Sequence, residues 1–325
     1  MDRIIVTGGS GFIGTNLIEY FDSQGADICN IDKVEPRNSK HNIFWKNINI
    51  LDEKKLIDFF IKFQPTLIFH MAARTDLNGL NLEEYNENID GVKNILNAIN
   101  SVDSINYAVF ASSMLVCNLG YKPKNIYDYS PDTKYGESKV IGEKLVRNAK
   151  LDIPWTIVRP TSIWGPWFDV PYKSFFDLIK RGLYFHPSGL RVRRSYGFVY
   201  NVVYQLDKLS KNKSRNFEHK TLYLADYAPI ELSEWAQMIS KSFNLSPVKE
   251  APKFIFHILA LFGDFIKLFG IKHPPMTSFR LKNMFTESIF DISSLEQKVG
   301  KCPYSEQEGV DITCKWILSQ EANKK

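Results

Sequence analysis

The segment from Ile4 to Gly14 constrains this 325-residue chain more than any other. A run of β-branched residues at 4–7 leads into a glycine-rich turn, and an amphipathic segment at 12–24 follows. The pattern predicts a strand, a tight loop and a helix. Gly8 suits the turn, Gly11 a close approach of the backbone to a pyrophosphate, and Gly14 the packing of helix on strand. The helix start, at Phe12 and Ile13, would direct its amide groups at the phosphates.

A glycine motif alone also fits an ordinary strand-to-helix turn, so composition and further motifs have to decide. Hydrophobic residues make up 44% of the chain and charged residues 24%, which predicts a globular protein of one large or two modest domains. The net charge of +5 suits an anionic substrate and is too small to indicate nucleic-acid binding. The first predicted strand already begins at Arg3, so no secretory leader is expected and the predicted location is cytoplasmic.

Cysteines and apolar runs exclude two further classes. The four cysteines lack metal-ligand spacing, so no metal site is expected, and Cys29 and Cys117 are predicted to be core thiols. The most apolar stretch, residues 254–271, is interrupted by Asp264 and Lys267, whereas a spanning helix needs about 20 apolar residues. We expect no transmembrane segment, and a helix in the core or the wall of a pocket. A membrane-surface or partner-binding helix is the alternative.

The first half of the chain alternates between two hydrophobic periods. Strands are predicted at 3–7, 27–31, 67–70, 107–112 and 156–159, and helices at 12–24, 53–63, 83–100 and 135–149. This alternation predicts an α/β fold, a doubly wound parallel sheet of the Rossmann type, with residues 1–165 as the dinucleotide-binding domain.

After Pro166 the pattern changes to frequent aromatic, proline and arginine residues. A strand is predicted at 221–224 and helices at 232–243, 254–269 and 306–318. We interpret residues 166–325 as a smaller, mostly helical substrate domain, with segments near 195–228 returning to the first domain. The ligand is expected between the two domains. Trp164, Trp167 and Phe168 are predicted to be core residues.

Asp32 ends the second predicted strand, 18 residues after Gly14. A carboxylate there can accept two hydrogen bonds from an adenosine ribose and would repel a 2′-phosphate. The alternative is an ordinary loop-edge or helix-capping aspartate. The spacing favours NAD over NADP, although the nearby cations Lys33 and Arg37 keep NADP open.

Tyr135 and Lys139 are spaced to share one helix face. An ammonium beside a phenol stabilises the phenolate and lowers the pKa of the tyrosine, which can then move a proton to or from an alcohol. The spacing alone is not specific, because Tyr204 and Lys208 repeat it. What distinguishes Tyr135 is Ser113, 22 residues upstream at the end of a predicted strand, whose hydroxyl can bind the same substrate oxygen.

Together these features resemble the extended short-chain dehydrogenases/reductases, in particular the NAD-dependent epimerase/dehydratase family that acts on nucleotide sugars. The resemblance covers about residues 1–205, and the matching segments are 7–14, Asp32, 70–73, Asn88 with Gly91, 112–116, 135–139 and 159–166. It implies a nucleotide-sugar substrate, a role in polysaccharide biosynthesis and NAD as cofactor. Similar enzymes commonly dimerise through two long helices, here 83–100 and 135–149; the alternative is a monomer whose helices merely cover the sheet.

The resemblance also implies residue roles. Tyr135 would be the acid/base, Lys139 would hold the nicotinamide ribose and tune Tyr135, and Ser113 would orient the reacting oxygen. Asn88 would support the structure around the lysine, and His70 is expected to be packed rather than catalytic. Substrate contacts are expected at Arg74, Ser113 and Arg194. Cofactor contacts are expected at Gly8, Gly11, Phe12, Ile13, Gly14, Asp32, Asn49, Ile50, Met71, Ala72, Ala73, Tyr135, Lys139, Pro160 and Ser162.

Several positions depart from the family pattern. Met114 and Leu115 replace the Asp-Glu pair of dehydratases, and Leu115 also replaces the glutamate of related decarboxylases. Without an acid to protonate a leaving hydroxyl, elimination of water is not expected. Asn49 stands where an aspartate often contacts adenine, and Ser162 where many epimerases have an asparagine. An epimerase is therefore favoured, with a nucleotide-sugar ketoreductase as the alternative.

The basic cluster Arg191, Arg193 and Arg194 bears on the substrate class. In similar enzymes an arginine before a Phe-Val-Tyr segment binds the diphosphate, and Arg194 matches it; a solvated basic loop is the bland alternative. A hydroxysteroid-type alcohol dehydrogenase with an apolar substrate is a further hypothesis, which would leave this cluster without a partner. A non-catalytic dinucleotide-binding protein is the hypothesis from a different class.

Overall fold

The computed structural model describes residues 2–211, 220–269 and 277–322. The chain divides into two compact units. The first unit comprises Met1–Ile163, Gly197–Tyr227 and Asp291–Tyr304, and the second comprises Trp164–Tyr196, Ala228–Phe290 and Ser305–Lys325.

Strands and helices are numbered here separately, each in chain order. The strands are β1 Arg3–Thr7, β2 Asp27–Asp32, β3 Trp45–Asn47, β4 Leu67–His70, β5 Tyr107–Ala111, β6 Trp155–Pro160, β7 Ser162–Trp164, β8 His186–Pro187, β9 Arg193–Arg194, β10 Tyr196–Phe198, β11 Lys220–Leu224, β12 Ile230–Glu231 and β13 Glu250–Ala251. The α-helices are α1 Phe12–Ser23, α2 Glu53–Phe63, α3 Asn86–Asn100, α4 Lys134–Asn148, α5 Tyr172–Lys180, α6 Val199–Lys211, α7 Leu232–Ser242, α8 Lys253–Leu268, α9 Ser278–Phe285, α10 Ser293–Val299 and α11 Glu306–Ala322. Short 3₁₀ turns occupy Ser39–Ile43, Glu83–Tyr85 and Met114–Val116.

The first unit contains a seven-stranded parallel sheet in the order β11-β6-β5-β4-β1-β2-β3. β1 lies between β2 and β4, with Thr7 opposite Ile31 on one side and His70 on the other. The strand order reverses at this point, and the carboxyl ends of β1, β2 and β4 meet there. The predicted doubly wound α/β fold is confirmed.

The alternation of side chains along β1 builds two core layers. Ile4 and Val6 pack on one face with Leu17 of α1 and with residues of α6 and α10. Ile5 points to the opposite face and packs with Phe60 of α2 and with residues of α3. A strand buried on both faces is continuously apolar, which is why the short β-branched runs identified these strands.

The sequence prediction missed some elements of the first unit. β3 is three residues long and two of them are polar, so no periodicity marks it. The predicted helix 83–100 begins as a 3₁₀ turn, and the α-helix itself starts at Asn86. Helix α6 was not predicted, although its residues Val202, Val203 and Leu206 are fully buried against the sheet.

The second unit has an aromatic core. The rings of Trp164 and Trp235 lie 5.4 Å apart, and Phe176 and Tyr196 pack against Trp235 at 5.6 and 4.5 Å. Phe168 is also buried. The interpretation of Trp164 and Phe168 as core residues is confirmed.

Helix α8 differs from the expectation that it lines a core or a pocket. Phe256 and Ala260 are buried, against Leu281 of α9, but most of its other large apolar side chains are exposed. The composition could not reveal this, because the helix is apolar on nearly every side. Among the described helices, none combines the length and the apolar character needed to cross a bilayer.

Candidate active site

The glycine-rich loop joins β1 to α1 at the carboxyl edge of the sheet. Gly8 has φ of +72°, a left-handed conformation, and a Cβ on it would lie 2.6 Å from the main-chain nitrogen of Ala72. A Cβ on Gly14 would lie 2.1 Å from the oxygen of Gly8. By contrast, a Cβ on Gly11 would have, among the described residues other than its chain neighbours, a single contact within 4 Å, with Gly8 O at 3.1 Å. The fold therefore needs Gly8 and Gly14, and Gly11 leaves a cradle over the loop.

The start of α1 is suited to an anion. Gly11 is the cap of α1 and has no side chain that could bind the first amide groups. As the structure describes it, the first turn of this helix has no acidic residue either. The helix dipole and the orientation of the first amide groups, at Phe12 and Ile13, favour negative charge beside this cradle. A pyrophosphate group fits both the space and the charge.

Asp32 lies at the end of β2, beside the loop. Its two carboxylate oxygens accept hydrogen bonds from the main-chain nitrogens of Ser10, at 3.2 Å, and Val34, at 3.0 Å. Burial raises its pKa, and these hydrogen bonds offset only part of the rise. Each oxygen retains a lone pair for a further donor, such as a ribose hydroxyl. The contact of Asp32 with a ribose stays a prediction.

The other predicted cofactor residues fall at ends of strands or in the segments that follow. Met71, Ala72 and Ala73 follow β4, and Met71 N donates to Thr7 O at 3.0 Å. Asn49 and Ile50 follow β3, and the oxygen of Ile50 accepts from Asn94 of α3. The structure places Pro160 at the end of β6 and Ser162, which is buried, at the start of β7.

Ser113 and Tyr135 are brought together by the end of β5 and the start of α4. Both are buried, and Ser113 Oγ accepts a hydrogen bond from Leu115 N at 3.1 Å. Burial raises the pKa of Tyr135 to about 12, and the nearby Ser113 hydroxyl opposes that rise. Thr133 caps α4 by accepting from Gly136 N at 3.0 Å, which fixes the first turn and Tyr135 with it.

Lys139 lies one turn along α4, with Nζ 5.9 Å from the Tyr135 ring centroid. Its ammonium donates to the main-chain oxygen of Ala111, at 3.0 Å. Burial lowers the pKa of Lys139 to about 8, and the charge of Glu143 opposes this. We expected Lys139 to lower the pKa of Tyr135. In this structure burial dominates instead, and the pKa of Tyr135 is raised.

The second Tyr-Lys pair provides an internal comparison. Lys208 Nζ lies 5.2 Å from the ring centroid of Tyr204, on α6. The geometry of the bare pair is therefore similar in both places. The neighbouring Ser113 distinguishes Tyr135, as the sequence indicated.

Sequence reasoning missed a buried ionic network below Lys139. Glu143 of α4 and Arg159 of β6 form an ion pair of 2.8 Å between side chains at most 1% exposed. Glu143 also accepts from Ser112 Oγ at 2.6 Å and Tyr129 at 2.9 Å. Although burial raises the pKa of Glu143, the hydrogen bonds and charge of Arg159 outweigh it, and the pKa lies below its ordinary value. The available signal was the spacing of Glu143, four residues after Lys139 on the same helix face.

Asn88 and Arg74 join the loop after β4 to the two helices. Asn88 is buried, accepts from Arg74 N at 2.9 Å and donates to Ser138 Oγ at 2.9 Å. This geometry matches its expected support of the lysine-bearing helix. The Arg74 guanidinium forms ion pairs with Asp76, at 2.7 Å, and Glu84, at 3.2 Å. Its substrate role stays a prediction. His70 is buried and bonded to Thr7 at 2.7 Å, and burial lowers its pKa to about 3.

The predicted diphosphate arginines belong to the second unit. Arg191 pairs with Glu231 at 2.9 Å. Arg194 donates to the main-chain oxygens of Asn283 and Thr286, where α9 ends. Arg194 therefore stabilises the carboxyl end of that helix, and its role toward a diphosphate stays a prediction.

Comparison with known proteins supplies the family context. The model of the NAD dependent epimerase/dehydratase family matches residues 4–221. Along 97% of its length the chain is 23% identical to the N-acetyl-alpha-D-glucosaminyl-diphospho-ditrans,octacis-undecaprenol 4-epimerase of Escherichia coli O157:H7, covering 95% of it. It is 22% identical to the 3-beta-hydroxysteroid dehydrogenase of Mycolicibacterium neoaurum, over 97% of the chain and 90% of that protein.

A solved structure is similar in fold. The UDP-glucuronic acid 4-epimerase of Bacillus cereus, crystallised with UDP-glucuronic acid and NAD, superimposes with a TM-score of 0.73 at 17% identity. The match covers 98% of this chain and 99% of that one. At this identity the likeness shows the fold.

Proposed function

Because the chain belongs to the NAD-dependent epimerase/dehydratase family, we propose that it is an NAD-using epimerase of a sugar joined to a diphosphate. The observation that carries the proposal is the group formed by Ser113, Tyr135 and Lys139 at the carboxyl edge of the sheet. This edge also bears the glycine loop and Asp32.

The cofactor contacts follow from the geometry of the first unit. The loop at Gly8 and Gly11, with the start of α1, would hold the pyrophosphate, and Asp32 would accept from the adenosine ribose. Its negative charge favours NAD over NADP. Lys139 would bind the nicotinamide ribose. Bound there, NAD would supply a reversible hydride acceptor for the sugar carbon, which allows the hydride to be returned to the opposite face.

Proton transfer would be the task of Tyr135. Its phenolate oxygen would take the hydroxyl proton of the sugar while the carbon loses its hydride, and would give the proton back when the hydride returns. Ser113 would donate to the same oxygen and stabilise its carbonyl form. The raised pKa of Tyr135 favours the protonated state that ends the first half of this cycle. Its action as a base requires the charge of Lys139 closer to the phenol.

Two carriers are candidates for the group on the other side of the diphosphate, a nucleoside and a polyprenol. A nucleoside is the carrier implied by the family resemblance and by the sugar nucleotides of similar structures. A polyprenol is the second candidate, because the Escherichia coli relative similar along both units has a diphospho-undecaprenol substrate in its name. Comparing turnover of the two kinds of substrate by the purified chain distinguishes them. For the reacting carbon we propose C4, as in the names of the 4-epimerase relatives.

Alternatives predict different outcomes with the same purified protein. A ketoreductase would consume added reduced cofactor and a keto-sugar in equal amounts. A hydroxysteroid-type dehydrogenase would turn over an apolar alcohol and ignore diphosphate sugars; the relative in Mycolicibacterium neoaurum motivates this test. The exposure of α8 weakens the structural case for it, because that helix does not enclose an apolar pocket. A non-catalytic binding protein would show no turnover.

The proposal is tested with Tyr135→Phe, using Tyr204→Phe as the matched control. Removal of the Tyr135 hydroxyl is expected to lower the epimerisation rate by a factor of roughly a thousand or more, as for the loss of an acid/base group. Tyr204→Phe removes the tyrosine of the second pair, leaves Tyr135 and Lys139 intact and is expected to keep full activity. Equal activity of the two variants would overturn the proposed role of Tyr135.

Cytoplasmic location, polysaccharide biosynthesis and a homodimer are further proposals. For the dimer, α3 and α4 carry the partly exposed apolar residues Ile89 and Ile141. Light scattering of the purified chain tests it: a mass of two chains supports the proposal, and the mass of one chain contradicts it.

A further inference from the structure

One side of α8 presents a long apolar surface, which we name the apolar arc. It consists of Phe254, Ile258, Leu261, Phe262, Phe265 and, directly after the helix, Phe269. Their exposed fractions range from 56% for Phe265 to 73% for Phe269. The four phenylalanines alone expose on the order of 500 Å², given the size of the side chain. That is as large as the biggest patch of a typical monomer, and such patches mark interaction sites.

Helical geometry makes the apolar arc continuous. Its members are separated by one, three or four residues, so they project to the same side of the helix. The opposite side carries Phe256 and Ala260, which pack on Leu281 of α9. Helix α8 is therefore fixed to the second unit along one side, and the apolar arc faces outward along the other.

The chain segment that carries the apolar arc is rich in positive charge. Residues 253–285, which include α8 and α9, contain five Lys or Arg residues and one acidic residue, Asp264. This short segment thus has a net charge of +4, and the whole chain +5. Lys253, Arg280 and Lys282 are exposed. The carboxylate of Asp264 accepts from Ser278 N, at 3.2 Å, so its charge is turned toward the start of α9.

We propose that α8 binds the surface of an anionic lipid bilayer, with the apolar arc in the acyl-chain boundary and the cations at the lipid headgroups. A helix with a wide apolar face and basic flanks is the form that lies in the plane of a membrane interface. Charge complementarity selects this occupant, because each Lys or Arg near an anionic leaflet adds attraction. The proposal concerns a surface of the second unit and does not depend on the proposed epimerase activity.

The test is flotation of the full chain with vesicles, in the absence of substrate. One set is phosphatidylcholine and the other an equal mixture with phosphatidylglycerol. The chain is expected to float with the mixed vesicles, roughly tenfold more than with the neutral ones, and to be released as salt rises. Failure to float with the mixed vesicles overturns the proposal.

Variants assign the binding to the apolar arc. The double variant Phe262→Asp with Phe265→Asp replaces exposed side chains. We expect it to reduce the vesicle-bound fraction by a factor of roughly ten or more. Its matched control is Ile43→Asp with Leu80→Asp, which alters exposed apolar residues of the first unit, 77% and 85% accessible. A double variant Lys253→Gln with Lys282→Gln is expected to lose only the preference for anionic vesicles. Equal flotation of the apolar-arc variant and its control overturns the proposal.

Light scattering without vesicles separates the other occupant, a second copy of the chain. If the apolar arc closes a dimer, the native chain is dimeric, the variant at Phe262 and Phe265 is monomeric, and neither floats. That result overturns the proposal. Circular dichroism of each variant verifies that its helices are retained.

Discussion

Lys139 Nζ lies 5.9 Å from the ring centroid of Tyr135 and gives its hydrogen bond to the oxygen of Ala111. The carboxyl end of β5 thus holds the ammonium one helical turn from the phenol. Burial has opposite effects on the two groups: it raises the pKa of Tyr135 to about 12 and lowers that of Lys139 to about 8. Both effects favour neutral side chains. Formation of the phenolate therefore requires the positive charge of Lys139 to lie closer to Tyr135 when ligands bind.

Lys139→Met is expected to stabilise the protein at pH 7 and to abolish its activity. The folded pKa of about 8 lies below the ordinary 10.5, so the unfolded chain binds more protons between these values. This residue therefore makes stability rise with pH from about 8 to 10.5, and its buried charge lowers stability below that window. After subtracting the lost bond to Ala111, the gain at pH 7 is about 1–2 kcal/mol.

Denaturant unfolding of native and variant protein across this pH range measures the effect. Lys54→Met, at an exposed position of α2, is the control and is expected to change neither stability nor slope. A variant less stable than the native protein at pH 7 would contradict the unfavourable burial of the ammonium.

Gly11→Ala and Gly14→Ala are expected to separate cofactor binding from folding. Gly11 has an ordinary φ of −78°, and a Cβ there would enter the cradle at 3.1 Å from Gly8 O. Its alanine variant should unfold at nearly the native temperature and lose NAD affinity by a factor of roughly ten or more. At Gly14 the Cβ would overlap main-chain atoms, so about 3 kcal/mol of stability should be lost. Calorimetry with NAD and thermal melts give both values; retained NAD affinity in Gly11→Ala would contradict the cradle.

Asp32→Asn should narrow the preference for NAD over NADP. The amide oxygen can still accept from Ser10 N or Val34 N, so the loop is expected to stay folded. The variant loses the negative charge that repels a 2′-phosphate and weakens the bonds to the ribose. NAD affinity should fall by a factor of roughly ten, about 1.4 kcal/mol. Titration with each cofactor measures the ratio, and an unchanged ratio would show that Asp32 does not contact the ribose.

Glu143→Gln is expected to destabilise the fold strongly. It leaves the guanidinium of Arg159 buried without its carboxylate, which costs about 3–5 kcal/mol. Glu137→Gln, on the same helix, removes only the exposed pair with Lys134 and should cost less than about 1 kcal/mol. Since Glu143 also raises the pKa of Lys139, the variant should shift the pH dependence of stability to lower pH. Equal unfolding midpoints for the two variants would refute the structural role of this network.

Much of the first unit could be predicted because its strands are buried on both faces. The bounds predicted for β1 and β4 are those of the structure. β3 was not predicted because it is short and is an edge strand of the sheet. The ion pair between Glu143 and Arg159 was not predicted, because the two residues are 16 positions apart in sequence and meet only when the fold brings α4 and β6 together. The orientation of α8 escaped because hydrophobic periodicity cannot identify the exposed side of a helix that is apolar almost throughout.

The residues of the candidate site could be predicted from the sequence, but the direction of the Tyr135 pKa shift could not. Ser113 and Tyr135 were identified from their spacing and context, and both are buried in the structure, where the Ser113 side chain lowers the pKa of Tyr135 against the effect of burial. The direction of the Tyr135 pKa shift was wrong, since the spacing of Tyr135 and Lys139 says nothing about burial. That shift depends on the tertiary packing around both residues.

The most direct test of the account is epimerisation of a diphosphate-linked sugar that carries deuterium on the reacting carbon. With the cofactor retained by the purified protein and none added, we predict that the epimer forms, that it keeps the deuterium, and that no net reduction of the cofactor accumulates. Tyr135→Phe should form no epimer under the same conditions. Loss of the deuterium to solvent, or accumulation of a keto-sugar with reduced cofactor, would contradict hydride transfer out and back at a site built around Tyr135.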